Sequence, residues 1–314
     1  MEIVDWKMSN LKYQISNNNV IVSIVCITYN HAPFIRKALD GFLMQKTDFP
    51  FEIILAEDCS TDGTRAICEE YASMYPDKIN YIYRDHNVGY NENEYEAMCA
   101  ANGQYVAYCE GDDYWTDPLK LQKQIDFLES HSDYSVCWHR CKHFNAMTRE
   151  IWDDACAQIL PEGSEGMDID MDTYFAGWYT QPLTMVFRKD ALDLSLYHSY
   201  KYFRDMQQIY HLLMKGRGYL FSFYGGVRNI HGGGICSSLT PVQYCDVSLP
   251  IDKEFYWKTL ANGPKKNYLN TLDKCVFVYN KTTKLKALRC AIVRFIISGH
   301  PRGFVRHMKL IFCK

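Results

Sequence analysis

Three acidic residues within four positions, Glu110, Asp112 and Asp113, form the clearest chemical motif of the chain. They follow the apolar run 105–109, which has the composition of a buried strand. Neighbouring carboxylates repel one another unless a cation lies among them, and Mg²⁺ or Mn²⁺ prefers such oxygen ligands. A solvated acidic turn ahead of the next helix is the alternative. The motif therefore predicts a metal site or a plain turn, and position in the fold decides between them.

Polar residues also follow three other predicted strands. Glu57 and Asp58 end the second strand, where their carboxylates can accept hydrogen bonds from a base or a ribose. Tyr29, after the first strand, can stack on a base, although a half-buried core position suits a tyrosine equally well. Arg84 and Asn87 follow the third strand. Each of these strand ends is a candidate ligand contact.

The elements that must position these residues alternate between strand and helix. Apolar runs predict strands at 20–28, 51–56, 79–84 and 105–109, and periodic segments predict helices at 33–45, 63–75, 92–101 and 118–130, the last capped by Asp117 with Pro118 in its first turn. Four such units predict an α/β fold with a doubly wound, mostly parallel sheet and helices on both faces. Ligands bind such sheets at the carboxyl ends of the strands, so all four polar motifs are expected at one edge.

Composition excludes several classes of protein. The chain has 314 residues, of which 47% are hydrophobic and 23% charged, as in a folded globular protein. The formal net charge of −3 provides no general field for nucleic acid, so no nucleic-acid partner is expected. The first residues lack the basic and apolar regions of a signal peptide, and no apolar run reaches the roughly 18 residues of a spanning helix. These features predict a cytoplasmic protein.

Together the motifs resemble the family 2 glycosyltransferases, which have the GT-A fold. The resemblance covers residues 20–232 and rests on Thr28-Tyr29-Asn30, Glu57-Asp58-Cys-Ser-Thr-Asp-Gly-Thr, Asn87-x-Gly89, Gly111-Asp112-Asp113-Tyr-Trp and Asp117-Pro118-x-Lys-Leu121. It implies a nucleotide-sugar donor, usually UDP-linked, and a Mn²⁺ or Mg²⁺ ion on its diphosphate. The donor-binding residues that it implies are Thr28, Tyr29, Asn30, Glu57, Asp58, Arg84, Asn87 and Asp112.

The same resemblance suggests metal ligands and a catalytic base. Asp113, Asp112 and His231 would hold the ion, although a histidine in a glycine-rich turn is ordinarily structural. Residues 204–213 resemble the helix that carries the catalytic base, which makes Asp205 the predicted base. The helix dipole would favour its ionised form, and the alternative is that Asp205 only caps the helix. The predicted acceptor-side residues are Trp115, Trp178, Tyr179 and Arg204.

The predicted reaction is an inverting single displacement in surface polysaccharide synthesis, with a glycan or lipid-linked acceptor. Asp205 would remove the proton of the acceptor hydroxyl while the metal stabilises the leaving diphosphate. A nucleotidyltransferase and a catalytically silent nucleotide-sugar-binding scaffold are the alternatives. Neither of these needs a base such as Asp205.

The predicted organisation has three parts. Residues 1–19 form a lead-in, 20–235 the catalytic domain with a nucleotide-binding half (20–131) and an acceptor half (132–235), and 236–314 a helical extension. From Lys274 onward the chain carries ten cations and no acidic residue. In residues 302–312, Phe304, Val305, Met308, Ile311 and Phe312 share one helix side, opposite Arg302, Arg306 and Lys309. This pattern predicts peripheral contact of residues 284–314 with the inner face of an anionic membrane, or packing on the acidic body of the protein.

Overall fold

The computed structural model describes residues 20–177, 179–234 and 239–312. The strands are β1 (Val22–Thr28), β2 (Phe51–Glu57), β3 (Ile79–Tyr83), β4 (Tyr105–Tyr108), β5 (Tyr114–Trp115), β6 (Tyr134–Asn145), β7 (Ile151–Asp153), β8 (Gly166–Ile169), β9 (Val186–Arg188) and β10 (Arg217–Ile230). The helices are α1 (Ile35–Leu43), α2 (Thr64–Met74), α3 (Tyr90–Ala100), α4 (Lys120–Ser130), α5 (Met171–Tyr174), α6 (Leu196–Ser199), α7 (Asp205–Leu213), α8 (Pro241–Thr259), α9 (Asn262–Asn280), α10 (Lys284–Ser298) and α11 (Pro301–Phe312).

The strands join into one mixed sheet with the order β3-β2-β1-β4-β9-β6-β10-β5. β1 pairs in parallel with both β2 and β4, and β2 pairs in parallel with β3. β9 is antiparallel to β4 and β6, while β10 runs parallel to β6. Every residue of β1 and β2 is buried, because helices cover both faces of the sheet. The predicted α/β architecture is confirmed.

One predicted helix begins later than the sequence suggested. α4 begins at Lys120 after Leu119, so Pro118 lies outside the helix and Asp117 is not its cap. The Asp117 carboxylate instead accepts a 2.9 Å bond from the Leu119 amide and a 2.6 Å bond from the Lys123 ammonium. Asp117 therefore stabilises the turn that leads into the helix.

Two compact units divide the described residues. The first contains residues 20–170, 179–197 and 204–230, and thus the whole sheet; the predicted nucleotide-binding and acceptor halves both contribute strands to it. The second contains residues 171–177, 198–203, 231–234 and 239–312. The domain boundaries predicted at 131 and 235 stay predictions, and the predicted lead-in 1–19 lies outside the described residues.

The second unit confirms the predicted helical extension. Its core consists of buried side chains from α8 to α11, such as Leu272, Val276 and Ala291. Ile311 is buried in this core and Phe304 packs against it. Ile311 therefore cannot face a membrane, and Phe304 is partly covered, so the apolar side that the sequence predicted for 302–312 is not wholly exposed. Among the described residues, no helix combines the length and apolar character needed to span a bilayer.

Candidate active site

The acidic motif lies in the loop that follows β4, at the carboxyl edge of the parallel strands. One carboxylate oxygen each from Glu110, Asp112 and Asp113 lies within 4.8 Å of the others. Gly111 permits this arrangement, because a Cβ atom there would lie 2.7 Å from the Thr28 hydroxyl. The loop thus packs directly on the end of β1, as the strand order predicted.

The electrostatics of this carboxylate cluster favour a cation. Burial raises the pKa of Glu110 well above its ordinary value, and the charges of Asp112 and Asp113 raise it further. The pKa of Asp113 is raised by burial and by Asp112, whereas a 2.7 Å bond from the Asn229 amide counteracts that rise. Three converging carboxylates with few opposing charges fit a hard divalent ion.

His31 joins this site and was missed in the sequence. Its Nε2 lies 3.9 Å from an oxygen of Asp112, and its Nδ1 lies 3.2 Å from the hydroxyl of Thr28. Thr28 is itself buried. The predicted donor-binding Thr28 thus contacts His31, which in turn faces the carboxylate cluster. The only sequence signal was that His31 directly follows the Thr28-Tyr29-Asn30 motif.

Asp205 is the first residue of α7, and Arg204 occupies the N-cap position without a side-chain cap. The Oδ1 of Asp205 accepts a 2.9 Å bond from the adjacent Met206 amide, which is not the geometry of a helix cap. Burial raises the pKa of Asp205, although Met206, Arg204 and Arg228 oppose the rise. The helix N-terminus was expected to favour the ionised form of Asp205, but burial has the larger effect on its pKa. The charge of Asp205 also raises the pKa of Glu110, so the two carboxyl groups belong to one electrostatic site.

A buried glutamate of α3, Glu94, interacts electrostatically with Asp205. Glu94 accepts a 2.8 Å bond from the Tyr197 hydroxyl, and burial raises its pKa to about 7. The Asp205 charge contributes to that rise and Arg204 opposes it. Arg204 donates a 2.8 Å bond to Asn91. Sequence reasoning missed Glu94, because the helical periodicity of α3 does not distinguish a buried glutamate from a solvated one.

Asp58 organises the loop after β3. Its two oxygens accept bonds of 2.8 Å and 2.9 Å from the amides of Val88 and Gly89, and its carbonyl accepts a 3.1 Å bond from Asn87. Arg84 is buried and forms a 2.5 Å ion pair with Glu96. These contacts hold the loop in shape. The donor-binding roles of Asp58, Asn87 and Arg84 stay predictions.

Two other predicted donor contacts are engaged inside the protein. Glu57 has no exposed surface, and its oxygens accept bonds of 2.5 Å from the Ser60 amide and 2.7 Å from Arg65. A direct donor contact of Glu57 therefore disagrees with the structure, since burial removes both oxygens from a ligand's reach. Asn30 takes a left-handed backbone with φ +56°, and its side chain accepts a 2.8 Å bond from the Thr61 amide. Asn30 thus ties β1 to the loop after β2.

The aromatic residues predicted to contact ligands differ in their exposure to solvent. Tyr29 is 43% exposed, as stacking on a base requires. Trp115 is 2% exposed, donates a 2.8 Å bond to the carbonyl of Leu183 and packs edge-on against Phe42. The predicted acceptor-side role of Trp115 is therefore wrong, because Trp115 is a core residue. Tyr179 is partly exposed, and Trp178 lies outside the described residues.

His231 belongs to the second compact unit. It is buried, and its Nδ1 accepts a 3.2 Å bond from the Gly233 amide within the glycine-rich turn. This bond agrees with the structural role that such turns ordinarily give a histidine. Its predicted role as a metal ligand stays a prediction.

Residues 23–224 match the model of the glycosyl transferase family 2. The chain belongs to this family. Membership confirms the resemblance seen in the motifs. The matched segment contains the carboxylate cluster and Asp205, whereas α8 to α11 lie beyond it.

Named relatives align with parts of the chain. The uncharacterised protein Rv1520 of Mycobacterium tuberculosis is 43% identical over 54% of this chain and 47% of its own length. The putative teichuronic acid biosynthesis glycosyltransferase TuaG of Bacillus subtilis is 33% identical over 37% of this chain and 45% of its own. The chain thus spans about half the length of these curated relatives. A crystal structure of residues 1–349 of Staphylococcus aureus TarS with UDP-GlcNAc matches with a TM-score of 0.64 at 18% identity, over 93% of this chain and 88% of that one, and supports the GT-A fold.

Proposed function

We propose that this glycosyltransferase moves a sugar from a nucleotide-sugar donor, with UDP as the nucleotide, to a hydroxyl of a glycan or lipid-linked acceptor in surface polysaccharide synthesis. The observation that carries the proposal is the carboxylate cluster after β4, with the Asp205 carboxyl in its electrostatic reach. UDP-GlcNAc in the TarS structure and the teichuronic acid in TuaG's name support the donor and product classes.

The cluster provides the ligands for a divalent ion, Mn²⁺ or Mg²⁺. Asp113 and Asp112 would hold it, with Glu110 beside them. Such an ion neutralises the negative charge of the donor diphosphate. The amide of Asn229 and the charge of Arg228 hold Asp113 in position and favour its ionised form.

Asp205 acts as the base. Its carboxylate accepts the proton of the acceptor hydroxyl, whose oxygen attacks the anomeric carbon from the side opposite the leaving diphosphate and inverts it. The neighbouring cations Arg204 and Arg228 favour the ionised carboxylate that this step needs. Because burial nevertheless raises its pKa, the acidic limb of the kcat/KM profile should lie above the ordinary value of 3.8.

Asp205→Asn tests the proposal. We expect turnover to fall by about 10²- to 10⁴-fold, the typical contribution of a general base, while donor binding with Mn²⁺ is kept. Over a panel of UDP-, GDP- and dTDP-sugars, turnover is measured as release of the corresponding nucleoside diphosphate, and donor binding by calorimetry. Asp190→Asn, at an exposed aspartate of the first unit, is the matched control and should leave both unchanged.

Two outcomes would contradict the proposal. Donor binding without turnover in the wild type, over a broad panel of acceptors, would indicate a binding protein. Turnover that survives in Asp205→Asn would remove Asp205 as the base.

A further inference from the structure

The exposed face of α10 is apolar. Leu285 is 77% and Ile296 72% exposed, and Ile292 and Phe295 are exposed as well. At 100° per residue, Leu285, Ile292 and Ile296 project within about 40° of one another. The opposite face, with Ala287 and Ala291, is buried in the core of the second unit. The apolar stripe of α10 is therefore a surface feature and not part of that core.

The exposed arc of α11 is cationic and carries further apolar groups. Arg302, Arg306 and Lys309 are exposed, and so are Val305 and Phe312. At 100° per residue these five lie within an arc of about 120°. α11 packs next to α10, since the rings of Phe304 and Phe295 lie 4.9 Å apart. Both helices thus present cations and apolar side chains to solvent in the same unit.

The charge of this surface indicates which kind of partner can bind it. Residues 274–314 contain ten cations and no acidic residue. Two of these cations pair with carboxylates of other helices, Lys286 with Asp246 and Arg294 with Asp273. In the described part of the chain no carboxylate pairs with Arg289, Arg302, Arg306 or Lys309, and Arg289 lies within the apolar stripe of α10. A second copy of this face would bring like charges together, whereas an anionic surface with an apolar interior suits both kinds of side chain.

We infer that α10 and α11 bind the surface of a bilayer that contains anionic lipids. The stripe Leu285, Ile292 and Ile296 would enter the boundary between headgroups and acyl chains. Arg302, Arg306 and Lys309 would lie near the headgroups, whose negative potential attracts them. This face differs from the one that the sequence predicted, because Ile311 lies in the core of the second unit and Phe304 packs against that core. The inference does not rest on the proposed enzymatic function.

Flotation of the full chain with lipid vesicles tests the inference. We expect binding to phosphatidylcholine vesicles that contain 40% phosphatidylglycerol, weaker binding as salt rises, and little binding to pure phosphatidylcholine. Arg302→Gln with Arg306→Gln should weaken binding by roughly 25-fold, about fivefold for each charge. Leu285→Ser with Ile296→Ser should weaken it by at least about tenfold, because each removes a buried apolar side chain.

Matched controls come from the same unit. Val247→Ser on α8 removes an exposed apolar side chain, and Lys253→Gln with Lys266→Gln removes two exposed cations. None of these should change vesicle binding, and thermal unfolding should show all variants folded.

Three results would overturn the inference. They are equal binding of the wild type to neutral and anionic vesicles, the absence of binding, and full binding by the α10 or α11 variants. If instead the wild type dimerises without lipid and the α10 variant abolishes the dimer, the face is an interface between copies. No donor is present in the assay, so failure here leaves the proposed transferase activity unaffected.

Discussion

Two groups of carboxylates, one in each compact unit, have opposite surroundings. In the sheet unit, Asp112 and Asp113 lie together beside Glu110, and burial with mutual repulsion raises the pKa of Asp113. In the helical unit, Asp246 pairs with Lys286 at 2.8 Å and accepts a 2.7 Å bond from Tyr279, and both contacts lower its pKa. Like charges held together cost folding free energy unless a ligand compensates, whereas paired charges do not. The difference supports the proposal that the first group binds a metal ion, whereas the second group is structural.

Within this comparison, we expect the largest effect from substitution of Asp113 in the carboxylate cluster. Asp113→Asn keeps an oxygen for the Asn229 amide but loses a charge of the cluster. We expect turnover to fall by about 10²- to 10³-fold and Mn²⁺ binding to weaken, without a lower melting temperature in metal-free buffer. Metal-free melting, calorimetry with Mn²⁺ and turnover measure these three quantities.

Asp273→Asn is the matched variant in the helical unit. Asp273 pairs with Arg294 and lies 2.9 Å from the Nε2 of His307. Its loss leaves these partners without a carboxylate, so we expect unfolding free energy to fall by about 1–3 kcal/mol with turnover kept. If Asp113→Asn destabilises the metal-free protein and leaves turnover intact, Asp113 is a structural residue like Asp273, and the contrast between the two units is wrong.

An effect of intermediate size is expected from a buried cation of the sheet unit, which should make the free energy of unfolding depend on pH. Lys120 is fully buried, its ammonium lies 3.8 Å from the centre of the Trp115 ring, and among the described residues its Nζ has no hydrogen-bond partner. Burial lowers its pKa to about 7. The unfolded chain therefore binds more protons than the native one between pH 7 and the ordinary lysine pKa of 10.5, so this group makes stability rise with pH there.

Lys120→Met should remove that rise. Between pH 7 and pH 9 we expect the wild type to gain roughly 2 kcal/mol of unfolding free energy relative to the variant. Urea unfolding at several pH values measures the difference. Lys123→Met, at an exposed lysine of the same helix, is the control and should show no such trend. Parallel curves for wild type and Lys120→Met would show that this lysine is not the source of the pH dependence.

The smallest effect is expected at the surface of the helical unit. The Lys286–Asp246 pair is half-exposed on both sides. Lys286→Gln should lower unfolding free energy by less than about 1 kcal/mol, and salt should shrink the effect further. Thermal melting at low and high salt measures it. A loss comparable to that in Asp273→Asn would mean that exposure does not weaken pairing in this unit.

Much of the sheet could be predicted because its signals are local. The apolar run that forms β1 and the polar residues that follow each strand appear in sequence order, and parallel pairing then brings those ends to one edge. The three acidic residues after β4 were found in this way, whereas Asp205 at the start of α7 was singled out by the family resemblance. Local signals of this kind do not show which side of an element is covered.

Burial and contacts between distant segments explain the misses. Glu57 and Trp115 have the residue types of ligand contacts, but neighbouring elements enclose both. His31 and Glu94 carry no spacing signal, because their partners Asp112 and Tyr197 are distant in sequence. In α11 the sequence identified an apolar side, whereas packing against α9 and α10 turned part of it inward.

The sequence by itself predicted the alternating strands and helices of the first four units, the carboxyl edge as the candidate site and the acidic loop at that edge. Periodicity and composition act within a few residues and need no knowledge of neighbours. Only the tertiary structure decided which polar groups are enclosed, which carboxylates face one another and which helix faces remain exposed. Those properties depend on contacts between distant segments, which a local pattern does not encode.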